Sequence, residues 1–181
     1  MRNDDIIEFM DQSSPQTTSN TVKLWSFNKP EMIKNTNKLR ANTFGFYCLN
    51  GSSAVNFQEG SRKENVISFL QLVRKRNPVG RIVIILDNFK PHHSPETLEY
   101  AENNNILLIH LPPYSPDLNP IEFIWKSVKR DISTKFLGSE EHLKYIVSNR
   151  FYWYSQKKTY ARSWMKKFLS EEFINCNQLG A

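Results

Sequence analysis

The apolar residues of this chain fall into short runs over its first two thirds, and these runs predict β-strands. Continuous apolar runs at 81–86 and 106–111 are typical of strands that are buried on both faces of a sheet. The aromatic-rich run 43–49 is followed by Asn50-Gly51, a dipeptide that favours a tight hairpin turn. Further strands are predicted at 6–10, 22–27 and 52–57.

Apolar residues three and four positions apart predict helices between and after these strands. One helix begins near Arg62 and ends at Asn77-Pro78. Another begins at Ser94-Pro95, where a capping residue precedes a proline in the first turn.

The C-terminal part of the chain is helical in its pattern. Four prolines between residues 111 and 120 stiffen a loop, and an amphipathic helix follows it. A further helix is predicted to begin near Ser139, and the segment 144–169 keeps the helical period. The apolar face of the helix after the loop is formed by Ile121, Ile124, Trp125, Val128 and Ile132.

The order of these elements predicts an α/β domain with a mixed sheet: three antiparallel strands plus parallel strands, flanked by helices. The strand–helix–strand order of 81–111 implies a right-handed crossover between two parallel strands. A chain of 181 residues is long enough for one such core. We predict that residues 1–135 form this α/β domain and that residues 136–181 form a basic, aromatic helical tail that packs on the same domain.

The composition argues against a membrane-spanning protein and against a secreted one. No apolar run approaches the roughly 20 residues of a membrane helix, and the acidic N-terminus is unlike a signal peptide. Cys48 and Cys176 lie far apart and lack metal-ligand spacing, which favours two reduced thiols in a cytoplasmic protein.

Positive charge is concentrated in one part of the chain. Residues 123–167 contain eleven Lys or Arg against three Asp or Glu, a balance of +8, whereas the remainder has a balance of −2. A basic segment of this kind favours a polyanionic partner such as nucleic acid, but a solvated helical surface would have the same composition.

Two acidic residues stand where a site is expected. Asp87 directly follows the strand 81–86, and the carboxyl ends of parallel strands are where open α/β sheets bind ligands. Glu122 lies in the first turn of a helix, directly after the proline-rich loop. The alternatives are a turn-capping role for Asp87 and a helix-dipole role for Glu122.

A third acid, Asp11, ends the predicted strand 6–10 in the same way as Asp87. If the two strands are neighbours, three carboxylates meet at one edge of the sheet. Hard oxygen ligands without a nearby cysteine favour Mg²⁺ or Mn²⁺ over zinc. Two such ions support in-line displacement at phosphorus, with a basic surface to hold the phosphodiester backbone.

The motifs around these acids resemble those of the mariner-like DDE transposases and their insertion-sequence relatives. The segments L-D-N-F-K-P-H-H and L-P-P-Y-S-P-D-L-N-P-I-E fit the family pattern, as do Trp125 and Lys129 after them. Thirty-four residues separate Asp87 from Glu122, a spacing typical of one branch of that family. The resemblance implies an RNase H-like fold in which Asp87 and Glu122 are the second and third acids of a catalytic triad.

The resemblance makes Asp11 the first acid of this triad. The family commonly has glutamate after that residue, and this chain has Gln12 instead. The later segment V-K-L-W-S-F is similar to a family strand and supports Asp11. The three acids are then the ligands of two Mg²⁺ or Mn²⁺ ions.

The resemblance also implies a reaction: cleavage of double-stranded DNA at transposon ends and transfer of the freed 3′-hydroxyl to target DNA. It implies a homodimer on DNA. The expected location is the cytoplasm of a prokaryotic host, on nucleoid DNA. Lys126, Lys129 and Arg130 are candidates for DNA contact. His92 is a further candidate, either for DNA contact or for tuning the site, although its position after a strand predicts an exposed turn.

The helix-turn-helix region that precedes this core in the family is missing here. We therefore expect a separate N-terminal helix-turn-helix polypeptide from an upstream reading frame. The alternative function is a non-catalytic, nucleic-acid-binding remnant of a split or decayed transposase gene.

Overall fold

The computed structural model describes residues 2, 4–17, 27 and 37–179. Within them, five strands form one sheet: β1 (Ile6–Ser13), β2 (Thr43–Cys48), β3 (Ala54–Phe57), β4 (Ile82–Leu86) and β5 (Ile106–His110). Their order in the sheet is β3-β2-β1-β4-β5. The strands β1, β2 and β3 pair antiparallel, whereas β1–β4 and β4–β5 are parallel, so the predicted mixed sheet is confirmed. The predicted strand 22–27 lies, apart from residue 27, outside the described residues.

Six α-helices are described. The predicted capping residue Ser94 is confirmed, because its side chain accepts a hydrogen bond from Thr97 N–H. The predicted helix start near Ser139 is also confirmed, and the Ser139 side chain accepts a hydrogen bond from His142 N–H. The predicted helical segment 144–169 is interrupted by a 3₁₀-helix at Lys158–Ala161. The helices are α1 (Lys63–Arg76), α2 (Pro95–Asn103), α3 (Ile121–Ser133), α4 (Glu140–Ser155), α5 (Arg162–Phe168) and α6 (Glu171–Cys176). None of the helices in the described part of the chain is both long and apolar enough to cross a membrane.

The sheet separates two hydrophobic cores. Because side chains alternate along a strand, Ile7 and Phe9 of β1 face α3 and α4, whereas Met10 faces α1. Helices α5 and α6 contribute to the same core as α3 and α4. The boundary at residue 135 stays a prediction.

Trp125 is fully buried, as predicted for the apolar face of α3. Its indole ring lies directly over Gly45 of β2, where an added Cβ would come within 2.2 Å of Trp125 Cζ2. The missing side chain at Gly45 therefore lets α3 approach the sheet closely. Gly45 is paired with Asp11 of β1, so this contact brings the first half of α3 to the strand that carries Asp11.

The prediction that both parallel strands are buried on their two faces is confirmed for β4 and wrong for β5. All five residues of β4 are buried, but Leu107 and Ile109 of β5 are 42% and 38% exposed. β5 lies at the edge of the sheet, and α3 packs on β1 and β2 rather than on β5. A continuous apolar run does not reveal this edge position.

Candidate active site

The structure brings Asp11, Asp87 and Glu122 to one cleft of about 560 Å³. The proline-rich loop 111–116, Asn119 and the two residues after Asp87, Asn88 and Phe89, complete its lining. The three acids come from a strand, from the end of a neighbouring strand and from the start of a helix, so sheet and helix packing together determine their positions.

Asp11 lies inside β1, so the prediction that it ends the first strand is wrong. The strand continues to Ser13 because residues 11–13 still pair with β2. The parallel pairing of β1 with β4, however, ends at Phe9 and Ile85. Asp11 and Asp87 each lie two residues after this last pair, so they are neighbours across the two chain segments. Because side chains alternate along a strand, Asp11 is on the same face of the sheet as Phe9 and Ile85. This face is the one that α3 covers.

Asp87 directly follows β4, as predicted. Its Oδ1 accepts a hydrogen bond from Phe89 N–H at 3.3 Å, which is the turn-capping role considered as an alternative. The same oxygen lies 3.1 Å from His92 Nδ1. Partial burial raises the pKa of Asp87, but the hydrogen bond and charge of His92, together with the Phe89 N–H and the charge of His110, hold this pKa below its usual value.

Glu122 lies in the first turn of α3, and its backbone N–H donates to Asn119 O at 3.0 Å. The buried side chain of Asn119 donates from Nδ2 to Met10 O at 3.1 Å. The loop before α3 is thereby tied to β1 at the residue preceding Asp11. Sequence reasoning singled out the N-P-I-E segment but did not assign this role to Asn119.

The electrostatics of the cleft act most strongly on Asp11. Asp11 is 8% exposed, and burial together with the negative charges of Glu122 and Asp87 raises its pKa well above the usual value. The positive charge of Lys129, two turns after Glu122, partly offsets this effect. A cation placed among the three acids would remove the repulsion.

The three carboxylates are hard oxygen donors, which fit Mg²⁺ or Mn²⁺. As the side chains are arranged, no three His, Cys, Asp or Glu residues in the described part of the chain are close enough to hold one ion. Asp87 is directed toward His92, and repulsion separates unscreened carboxylates. Closing the acids around a cation therefore requires movement of these side chains.

The remaining candidate residues lie on or beside α3. Lys126 and Arg130 are exposed, and Lys129 is half-buried near Asp11. The Nζ atom of Lys126 lies 5.0 Å from the centre of the Phe123 ring. Because they are exposed, the side chains of Lys126 and Arg130 are accessible to a ligand that approaches this helix.

His92 is not in an exposed turn, and that prediction is wrong. The residue lies in a 3₁₀-helix, Lys90–His93, that packs against α1 and α2, and it is 1% exposed. A ring buried in this way offers no surface to DNA. It contacts Asp87 on one side and Gln12 on the other, where its Nε2 lies 3.4 Å from Gln12 Nε2.

Most of the sequence matches a known protein family. The family model described as DDE superfamily endonuclease matches residues 7–144. The Transposable element Tcb2 transposase of Caenorhabditis briggsae is 38% identical over 58 residues, which are 32% of this chain and 21% of that protein.

Similar solved structures belong to Mos1 transposase. Its paired-end complex with the left transposon end has a TM-score of 0.67 at 17% identity, over 95% of this chain and 54% of that chain. Its catalytic domain, solved with Raltegravir and Mn, has a TM-score of 0.63 at 17% identity, over 97% and 83% of the two chains. The chain thus spans about half of the Mos1 chain in the paired-end complex.

At these identities the Mos1 structures show the fold, which is the RNase H-like fold implied by the motifs. The family model covers most of the chain and includes Asp11, Asp87 and Glu122. The chain therefore belongs to the DDE superfamily endonuclease family.

Proposed function

We propose that this chain is the catalytic domain of a DDE-type transposase, with Asp11, Asp87 and Glu122 as its catalytic and metal-binding residues. The observation that supports this proposal is the convergence of the three acids on one cleft. The reaction is cleavage of double-stranded DNA at transposon ends, followed by transfer of the 3′-hydroxyl to target DNA.

The donor set suits two Mg²⁺ or Mn²⁺ ions. Mos1 structures of the same fold have been solved with Mg and with Mn. When bound, such a pair of ions activates a water or 3′-hydroxyl and stabilises the leaving oxygen at phosphorus. The chain's own part is to hold three carboxylates on separate elements.

The remaining parts of the site assist in positioning. Asn119 ties the start of α3 to β1 and so limits the movement of Glu122 relative to Asp11. Lys126 and Arg130 are exposed on α3, where they would contact the phosphodiester backbone, and Lys129 places a positive charge near Asp11. The proline-rich loop forms one wall of the cleft.

A plasmid-nicking assay with Mg²⁺ or Mn²⁺ tests the catalytic proposal. We expect Asp11→Asn, Asp87→Asn and Glu122→Gln each to reduce nicking to background. Asp117→Asn is the matched control, because this acid is exposed in the 3₁₀-helix Pro116–Leu118 five residues before Glu122. Equal nicking by the wild type and Asp87→Asn would overturn the assignment. DNA binding without metal-dependent nicking would instead favour the nucleic-acid-binding remnant.

The assembly is a further part of the proposal. The chain spans about half of the Mos1 chain in the paired-end complex, and the motif resemblance implies a homodimer on DNA that is completed by a separate helix-turn-helix polypeptide. Nicking of element-end DNA measured with and without the product of the upstream reading frame tests the second partner. A prokaryotic host, with the protein on its nucleoid DNA, stays a prediction from the motifs.

A further inference from the structure

A side-chain bridge through the buried His92 connects β1, beside Asp11, with Asp87 at the end of β4. At its centre is the ring of His92, with Nδ1 3.1 Å from Asp87 Oδ1 and Nε2 3.4 Å from Gln12 Nε2. The backbone N–H of His92 donates to Phe89 O at 2.9 Å, and the Phe89 ring packs edge-on against the imidazole. The ring is therefore held from several sides.

The partners of His92 determine which nitrogen carries the proton. Nδ1 of His92 faces two acceptors, Asp87 Oδ1 at 3.1 Å and the backbone O of Asp87 at 3.4 Å, so Nδ1 carries the proton. In a neutral imidazole Nε2 is then an acceptor, and the amide nitrogen of Gln12 is the donor that matches it. Gln12 therefore favours the Nδ1–H tautomer, which is the form that holds Asp87.

The contacts of Asp87 distinguish its two oxygens. Both His92 Nδ1 and Phe89 N–H approach Oδ1. Among the described residues Oδ2 has no hydrogen-bond partner, and the half-exposed carboxylate lines the cleft. Occupation of Oδ1 thus orients the carboxylate so that Oδ2 is the oxygen left for a cation.

We propose that His92 is a positioning residue for Asp87 and that Gln12 reinforces the tautomer of His92 that donates to Asp87. Through Gln12, His92 and Asp87, the bridge fixes the end of β4 relative to β1 beside Asp11. The bridge itself is inferred from the geometry alone. Its effect on metal binding depends on the proposed function, in which Asp87 is a metal ligand. The opposing interpretation is a buried histidine that merely stabilises its turn.

The tautomer is measured without metal or DNA. Long-range ¹H–¹⁵N spectra of ¹⁵N-histidine-labelled protein at neutral pH separate the two neutral forms, and the missing signal in His92→Asn assigns the residue. We expect the Nδ1–H form for His92 in the wild type and a weaker preference for it in Gln12→Leu, where only the acceptors of Asp87 still favour this form. An Nε2–H tautomer in the wild type, or a preference unchanged by Gln12→Leu, would overturn the proposal.

The functional part is measured as Mn²⁺ affinity by electron paramagnetic resonance. His92→Leu removes the donor and is expected to weaken binding by about 10- to 100-fold, the usual effect of losing a group that orients a metal ligand. His92→Asn keeps a donor near the position of Nδ1 and should retain most of the affinity. His142→Leu, an exposed histidine in the first turn of α4, is the matched control and should have no effect.

A double-mutant cycle separates positioning from general destabilisation. In the Asp87→Asn background, His92→Leu should cause no further loss of Mn²⁺ affinity. Equal losses in His92→Leu and His92→Asn, or a full further loss in the Asp87→Asn background, would show a merely structural role. If the wild type binds no Mn²⁺, the proposed function fails, and the tautomer spectra alone then decide the hydrogen-bonded bridge.

Discussion

Glu8 and Asp11 are both buried on β1, but their carboxyl groups lie on opposite faces of the sheet and in different surroundings. For Asp11, burial and the charges of Glu122 and Asp87 raise the pKa, which is expected where acids gather to bind a cation. For Glu8, burial is the main cause of its raised pKa. The thiol of Cys48, its partner across the strand pair, and the charge of Arg74 lower this pKa less than burial raises it.

The state of Glu8 determines how stability depends on pH. The pKa of Glu8 in the folded protein lies well above the ordinary value of 4.5. Between these two pKa values, the folded protein keeps the proton on Glu8, whereas the unfolded protein has released it. The stabilising contribution is therefore complete below pH 4.5 and is lost as pH rises toward the folded pKa. This sign is opposite to that of an acid held ionised by a salt bridge, such as Asp5 with Arg81.

We predict that Glu8→Gln stabilises the protein at neutral pH, because the amide needs no proton to stay neutral. The gain in the free energy of unfolding should be at least about 1 kcal/mol at pH 7 and should vanish at acidic pH, since one pKa unit corresponds to about 1.4 kcal/mol. Denaturant unfolding between pH 4 and 8 measures it, with the exposed Glu102→Gln as control. A loss of stability would mean that Glu8 is ionised and paired with the nearby Arg74.

At the scale of the elements, the approach of α3 to the sheet determines where Glu122 lies. Two contacts on either side of this residue are responsible. Asn119 binds Met10 O before it, and Trp125 covers Gly45 after it. Both contacts reach the stretch of β1 and β2 around Asp11, so a shift of α3 would separate the acids.

We predict that Gly45→Ala destabilises the protein by about 1–3 kcal/mol, since the new methyl group would overlap the Trp125 ring and lie 3.0 Å from Phe151 Cε2. Denaturant unfolding measures the change. Gly138→Ala is the matched control, because no atom lies within 4 Å of a Cβ at that position. Trp125→Leu should cost less in the Gly45→Ala background than in the wild type, and simple additivity of the two changes would contradict the proposed clash.

Asn119→Ala should affect both stability and activity. The variant leaves Met10 O buried without its partner, which we expect to cost about 1–3 kcal/mol in the free energy of unfolding. Because Glu122 is then less firmly held, nicking should fall even at temperatures where the variant is fully folded. Asp117→Ala, an exposed change in the same loop, should alter neither quantity. Unchanged nicking by folded Asn119→Ala would show that this tie does not position Glu122.

For the whole molecule, local sequence signals predicted most of the fold and the places of two acids. Asp87 follows a strand and Glu122 begins a helix, and both facts depend on residues close in the chain. The exposed face of β5 and the burial of His92 depend on which elements pack together. The pattern along the chain contains little information about such packing, and for that reason these two predictions were wrong.

The position of Asp11 within β1 has a similar origin. The apolar run ends before Asp11, but pairing with β2 extends the strand to Ser13. The role of Gly45 likewise required the packed molecule, because the residue is ordinary in its strand until Trp125 is placed over it. Tertiary contacts therefore supply the part of the site that joins the acids to one another.

The distribution of charge over the molecule leads to a prediction about DNA. Lys126 and Arg130 are exposed on α3 beside the cleft, whereas Lys75 is exposed on α1, which packs on the other face of the sheet. If DNA lies along α3, Lys126→Ala and Arg130→Ala should each weaken binding to double-stranded DNA of any sequence. Each should also reduce the slope of log affinity against log salt by about 0.9, because each variant removes one phosphate-binding cation.

Fluorescence anisotropy between about 50 and 200 mM salt, the range in which phosphate binding is strongly salt-dependent, measures both the affinity and the slope. Lys75→Ala should leave them unchanged, and an equal reduction of slope in all three variants would mean that the net charge, rather than the surface beside the acids, holds the DNA.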